Sequence, residues 1–300
     1  MAHETLSPVK PVSYIWRSLL EKNPIPLDGV VVEVAPGYEK KIGDALAMIG
    51  FKGTVILIEP DALAAQHTKA LYERILPKAT IRSVTKLLQD VRIGTDLPPR
   101  VDALLANHPF DDMAIALAMQ GKDPTFFTQE HGDGTGLSER IRQVYDSISD
   151  RDYVHSILAT LVIWKDFIRE LKPTLFIASQ YPSRKLTLKK LSKRQNSGFI
   201  IVELLRDYYD SYLRDQYQER SFGQKGDPAW WIIAMMPYID LGTDLTAQPS
   251  AVQRLGERVF VRQHTRRLEP EEYEVVYADR EYFERMGYSG DAHAHASRFA

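Results

Sequence analysis

The stretch Val30-Val31-Val32-Glu33-Val34-Ala35-Pro36-Gly37 decides how this chain folds. Valine fills four of its first five places, which predicts a strand buried on both faces and therefore a parallel sheet. Pro36 and Gly37 stop the strand and open a turn. The same reading extends outward. Thr54 to Ile58 is a second buried run, closed by Glu59-Pro60-Asp61. Thr80 to Val84, Val101 to Ala106 and Leu175 to Ala178 follow as third, fourth and fifth strands. Amphipathic segments separate them: Lys40 to Met48, Ala62 to Leu76 and Tyr153 to Leu171. Strand and helix in alternation predict a doubly wound α/β sheet with right-handed crossovers. Ile200 to Leu205 and Trp230 to Met236 read as a closing pair of strands, for seven in all.

The rest of the chain fits around that unit. Residues 1–28 are expected to be an N-terminal segment with one short helix over Tyr14 to Leu20, ended by Pro24 and Pro26. Residues 29–240 form the sheet domain. Asp111 to about residue 152 breaks the spacing and carries Gly121, Gly132, Gly134 and Gly136, which suits a helical insertion or lid. Residues 241–300 are an extension with short candidate edge strands at Val259–Val261 and Tyr273–Tyr277. Its small-residue tail around His293 and His295 is expected to be disordered.

Composition narrows the function classes. The chain has 300 residues, 44% hydrophobic and 26% charged, an ordinary globular balance. Net charge is -2, so nothing in the total suggests a polyanion partner, and nucleic acid is not expected. The cluster Arg184, Lys185, Lys189, Lys190, Lys193 and Arg194 reads as a solvated helix face rather than an RNA contact. Cysteine is absent, which excludes disulfides, thiolate metal sites and a cysteine nucleophile, and fits a cytoplasmic location. No apolar run is long enough to span a bilayer, and no membrane partner is expected. Walker A, G-x-S-x-G and H-E-x-x-H patterns are missing. Tyr208, Tyr209, Tyr212 and Tyr217 suit either a substrate wall or a homodimer contact.

Ligands of parallel sheets sit beyond the carboxyl ends of the strands, so the residues there are the candidates. Ala35, Pro36 and Gly37 follow the first strand, and glycine lets backbone approach a ligand closely. Glu33 opens that turn. Glu59 follows the second strand and can accept from both hydroxyls of a ribose, while Asp61 suits a helix N-cap. Asp90, after the third strand, can accept from an adenine amino group but reads better as a solvated acid. The fourth strand ends in Asn107-His108-Pro109-Phe110. Pro109 biases His108 toward extended backbone. The Asn107 amide and the backbone carbonyls here can orient an amine, and Phe110 can stack on a planar group or face a cation. His108 with Asp111 and Asp112 makes too weak a ligand pattern to expect a metal. Tyr181 lines the same pocket or sits at the sheet rim. Tyr14, Trp16, Tyr38, Phe110 and Tyr181 can each enclose a cation or simply pack in the core.

Together these features resemble the class I S-adenosylmethionine-dependent methyltransferase family over residues 29–240. The resemblance rests on Glu33 and Gly37 in the first turn, Glu59, the Asn107-x-Pro109-Phe110 element, and a long helix ending Leu171-Lys172-Pro173. It departs from the family in having a single turn glycine, and in having His108 where amine-modifying members carry a proline. The resemblance implies a Rossmann-like fold and S-adenosylmethionine bound by Glu33, Ala35, Pro36, Gly37, Glu59, Asp90 and Asn107. It also implies a small-molecule amine acceptor met by Asn107, His108, Phe110 and Tyr181. Two alternatives stay open. One is chemistry at the γ-carbon, by cyclisation to azetidine-2-carboxylate or 3-amino-3-carboxypropyl transfer, releasing methylthioadenosine. The other is a non-catalytic regulator on the same fold.

Overall fold

A computed structural model describes residues 9–119, 143, 146–181, 192–209 and 231–235. The elements run α1 (Pro11–Lys22), β1 (Val30–Val34), α2 (Lys41–Met48), β2 (Thr54–Ile58), α3 (Ala62–Ile75) and β3 (Thr80–Val84). They continue with β4 (Ala103–Asn107), α4 (Phe110–Ala118), α5 (Asp150–Leu171), β5 (Leu175–Ser179), α6 (Ser192–Tyr208) and β6 (Trp231–Met235). The strands make one sheet in the order β3-β2-β1-β4-β5-β6. β1 to β5 pair in parallel, and β6 runs antiparallel to β5. The order reverses between β1 and β4, where a doubly wound sheet opens its ligand crevice.

Six strands are present among the described residues, against the seven expected. The difference is Ile200 to Leu205, which is not a strand but the middle of helix α6. A short apolar run reads equally as buried strand or buried helix, and the length of the whole segment decides between them. Here 17 residues are helical, and Ile200, Ile201, Val202, Leu204 and Leu205 are all buried.

The chain divides into two compact units. The first takes in Met1–Pro109, Asp166–Tyr181 and Arg206–Tyr238, and so contains the sheet. Strand periodicity sorts its side chains by face. Val31, Val55, Leu57, Ala103, Leu105, Leu175, Ile177 and Ile233 join the apolar sides of α1, α2 and α3 in one core. Trp16, Leu19 and Leu20 of α1, Leu46 of α2 and Tyr72 of α3 are fully enclosed there. Alternate residues, among them Val32, Ile56, Leu104 and Phe176, are equally buried on the other face, where the Phe176 ring meets Tyr209 edge-on at 6.1 Å. Tyr209 is therefore core rather than dimer contact or substrate wall.

The second unit holds Phe110–Lys165, Pro182–Leu205 and Ile239–Ala300. In it Phe110 packs edge-on against Trp164 at 5.2 Å, and the Trp164 indole donates to Met113 Sδ at 3.2 Å. Among the described residues no helix is long and apolar enough to cross a membrane. The glycine-rich stretch 120–142, the cluster from Arg184 to Lys190, Tyr212, Tyr217 and the extension 241–300 lie outside the described residues. The backbone of Lys193 and Arg194 is helical, within α6.

Candidate functional site

The carboxyl ends of β1, β2, β4 and β5 meet at one edge of the sheet. Two of these ends carry residues in the left-handed region: Ala35 (φ 53°) and His108 (φ 63°). A non-glycine residue there costs about 1–2 kcal/mol, and such strain concentrates at functional sites. The two residues end neighbouring strands, β1 and β4, at the reversal point. His108 corrects the expectation of extended backbone before Pro109. Its surroundings over-determine the strained shape. Its N–H donates to the Ser179 carbonyl at 2.8 Å, and its ring reaches back to the Tyr181 carbonyl at 2.8 Å through Nε2. A carbonyl can only accept, so Nε2 carries the proton and Nδ1 accepts from Gln180 Nε2 at 3.0 Å. That ring is committed to the end of β5, which leaves it poorly placed to be a metal ligand. Among the described residues no cluster of three or more metal-ligating side chains occurs.

The β1 turn is held from both sides. The Gly37 N–H donates to Glu59 Oε2 at 3.0 Å, and Thr68 Oγ1 donates to the Gly37 carbonyl. Glu59 Oε1 accepts from the Asp61 N–H at 3.1 Å. Asp61 itself caps α3, accepting from Leu63 and Ala64, as the sequence predicts. Burial raises the Glu59 pKa, and the two backbone donors work against that rise. Gly37 is left-handed (φ 58°), and a Cβ built on it would meet nothing within 4 Å. The space beside this turn is open. Pro36 is buried and Ala35 half-buried.

Glu33 lies elsewhere. It shares the helix-covered face with Val31, is 2% exposed, and accepts from the Tyr72 hydroxyl. The Gly43 N–H donates in turn to Tyr72 Oη at 2.8 Å. Burial pushes the Glu33 pKa up to about 8, with the Tyr72 hydrogen bond and the Lys41 charge opposing. Asp90 ends a short 3-10 turn, Leu88–Asp90, and is exposed.

The β4 end is more elaborate than the sequence suggested. Asn107, Ser179 and Trp231 are register partners across β4, β5 and β6, so they form a row on one face. Asn107 Oδ1 accepts from the Trp16 indole of α1 at 2.9 Å. Tyr181 Oη lies 3.2 Å from Asn107 Nδ2 and 3.3 Å from Oδ1, and Ser179 Oγ is 3.4 Å from Oδ1. The rings of Trp16 and Trp231 meet edge-on at 5.1 Å, and Tyr181 lies 6.3 Å from Trp231. Of the five aromatic residues weighed as a cation enclosure, Trp16, Phe110 and Tyr181 are buried and Tyr14 is exposed. Tyr38 is half-buried and stacks obliquely on His67 at 5.5 Å. Trp231 is a participant that sequence reasoning did not place at this site, and Trp16, weighed only as a cation-enclosing or core aromatic, serves here as the donor to Asn107. The period of α1 says only that Trp16 faces the core, not that a strand end 91 residues away receives its N–H.

No protein-family model matches the sequence, and no curated protein matches it. Solved structures do align with it. A methyltransferase structure, CcbJ from Streptomyces caelestis, is 11% identical over 59% of this chain and 53% of its own, with a TM-score of 0.31. A Clostridium thermocellum chain assigned as an rRNA methylase is 13% identical over 77% of this chain and 100% of its own, with a TM-score of 0.41. An S-adenosylmethionine-dependent methyltransferase from Clostridium acetobutylicum is 12% identical over 58% and 53%, with a TM-score of 0.30. Thus the match spans only about half of the first and third of these chains. At such scores the fold rests on the strand order and directions of the chain itself, and these make it a Rossmann-like α/β protein with a closing antiparallel strand.

Proposed function

We propose that this chain is an S-adenosylmethionine-dependent transferase acting on a small molecule, and that the group moved is the methyl, delivered to an amine. The observation that carries the reading is the edge of the sheet at β1 and β4. Two left-handed residues end adjacent strands where the order reverses, beside an open glycine turn tied to the carboxylate of Glu59.

The residues fit the cosubstrate. Gly37 presents backbone without a Cβ to an open space. A carboxylate offers about four acceptor sites. Glu59 uses two on Gly37 and Asp61, which leaves capacity for the two hydroxyls of a ribose. Glu33 supports the turn from below, because its hydrogen bond to Tyr72 fixes the strand that delivers it. S-adenosylmethionine supplies a carbon already activated by its sulfonium, so the protein needs to align the nucleophile rather than provide strong acid or base. Asn107 is the aligning group. Its oxygen has one firm partner, Trp16, and two long ones that a substrate N–H can displace. The Phe110 ring packs edge-on against Trp164.

The test is titration calorimetry with S-adenosylmethionine, followed by mass spectrometry of products with candidate amines. Binding with release of S-adenosylhomocysteine is expected. Absence of binding removes the reading. Methylthioadenosine as the product, formed with the protein alone, moves the chemistry to the γ-carbon.

A further inference from the structure

We infer that Trp16, on the N-terminal helix, is a positioning residue that sets which end of the Asn107 amide carries the oxygen. This rests on the reading above, in which Asn107 aligns the nucleophile. An asparagine amide has two ends of equal size and opposite polarity, and turning it over exchanges an acceptor for donors. The partners around Asn107 divide sharply in what they tolerate. The Tyr181 hydroxyl lies 3.2 Å from one end and 3.3 Å from the other. A hydroxyl donates and accepts, so Tyr181 is satisfied by either orientation. Ser179, at 3.4 Å, is also a hydroxyl and equally permissive. The Trp16 indole N–H only donates, and at 2.9 Å it admits only the oxygen. Trp16 is fully buried, so no water replaces Asn107 as its acceptor. It is held there by the edge contact with Trp231, whose register partner Ser179 is also the partner of Asn107.

The geometry gives α1 a task beyond covering the core. Without the indole donor the amide samples both orientations, and only one presents the acceptor to a substrate amine. Substrate and cosubstrate can still bind while alignment fails, so the loss falls on kcat rather than on KM or cosubstrate affinity.

The decisive experiment is a double-mutant cycle with Trp16→Phe and Asn107→Ala, read by kcat, KM and S-adenosylmethionine affinity. Trp16→Phe is expected to lower kcat roughly tenfold to a hundredfold. KM and affinity should stay within about twofold, and Trp16→Phe should cost nothing further in the Asn107→Ala background. Additive losses, or unchanged kcat in Trp16→Phe, overturn the inference. If Trp16→Phe folds poorly, replacing Trp16 by benzothienylalanine removes the donor while keeping the ring shape. A second readout does not depend on activity. The side-chain amide resonances of Asn107, assigned by their loss in Asn107→Ala, should be one pair in the wild type and shifted or doubled in Trp16→Phe. If wild type neither binds S-adenosylmethionine nor turns over, the functional reading fails, and the resonances still decide whether Trp16 sets the amide. Unchanged resonances sink the inference by themselves.

Discussion

A carboxyl group closed off from water, as Glu33 is, stays protonated until the pH approaches about 8. Its pKa in the folded chain is raised above the unfolded value of 4.5, so the folded state binds the proton more tightly. Stability from this group is therefore full below 4.5 and falls as pH rises toward 8. The penalty at the upper end is on the order of a few kcal/mol. Glu33→Gln keeps an acceptor for Tyr72 and has no charge to bury. Urea unfolding between pH 5 and 8 should show a flatter stability profile for the variant and a higher midpoint at pH 8. An unchanged slope would show that Glu33 is ionised in place. Ala35 gives a second prediction. Ala35→Gly relieves a left-handed alanine and should raise stability by about 0.5–1 kcal/mol, less the added flexibility of the unfolded chain. A loss of stability would mean the Ala35 methyl contributes packing that outweighs its strain. The sequence named both residues, but alternation along β1 says only that Glu33 shares a face with Val31. It does not say that this face is the one covered by Tyr72. Nor does composition reveal positive φ at an alanine or a histidine, since that shape is imposed by partners such as the Ser179 and Ile58 carbonyls.

Helices α2 and α3 are locked together by one close approach. A Cβ on Gly43 would stand 2.6 Å from the Tyr72 ring. Tyr72 cannot retreat without leaving both Glu33 and the Gly43 N–H. Alanine at this helical position gains about 1 kcal/mol in propensity, but overpacking a filled site costs about 1–3 kcal/mol. The clash should win. Gly43→Ala is expected to lower the thermal midpoint by a few degrees, and a raised midpoint would mean that Tyr72 has room the geometry denies. Elements were the most legible level of this chain. β1, β2, β4 and β5 announced themselves as runs rich in β-branched or aliphatic residues; β1 and β2 have the expected bounds, and those of β4 and β5 differ from expectation by a residue or two. Helix α6 misled because Glu203 alone interrupts the apolar run from Phe199 to Leu205, and one polar residue is too few to show the periodicity that separates helix from strand.

For the molecule as a whole, the functional reading makes a statement about folding. A ligand that binds only the native state stabilises it by about 2.7 kcal/mol at a hundred times its dissociation constant. S-adenosylmethionine should therefore raise the thermal midpoint with a logarithmic dependence on concentration. S-adenosylhomocysteine should do the same, whereas adenosine triphosphate at equal concentration should not. A midpoint indifferent to all three would contradict the site at β1 and β4. The parallel, doubly wound character of the sheet was legible from alternation and spacing, whereas its strand order came only from the folded structure. The wiring at its edge was not legible either, because Trp16, Asn107, the pair Ser179 and Tyr181, and Trp231 come from four separate stretches that only the folded sheet brings together.

The edge contact between Trp16 and Trp231 has an optical consequence. Two indoles 5.1 Å apart and inclined at 69° share their excited states. Their coupling should add to the circular dichroism a signed band that belongs to neither helix nor strand. The native chain would then carry, without any label, a spectroscopic gauge of whether its first helix is seated.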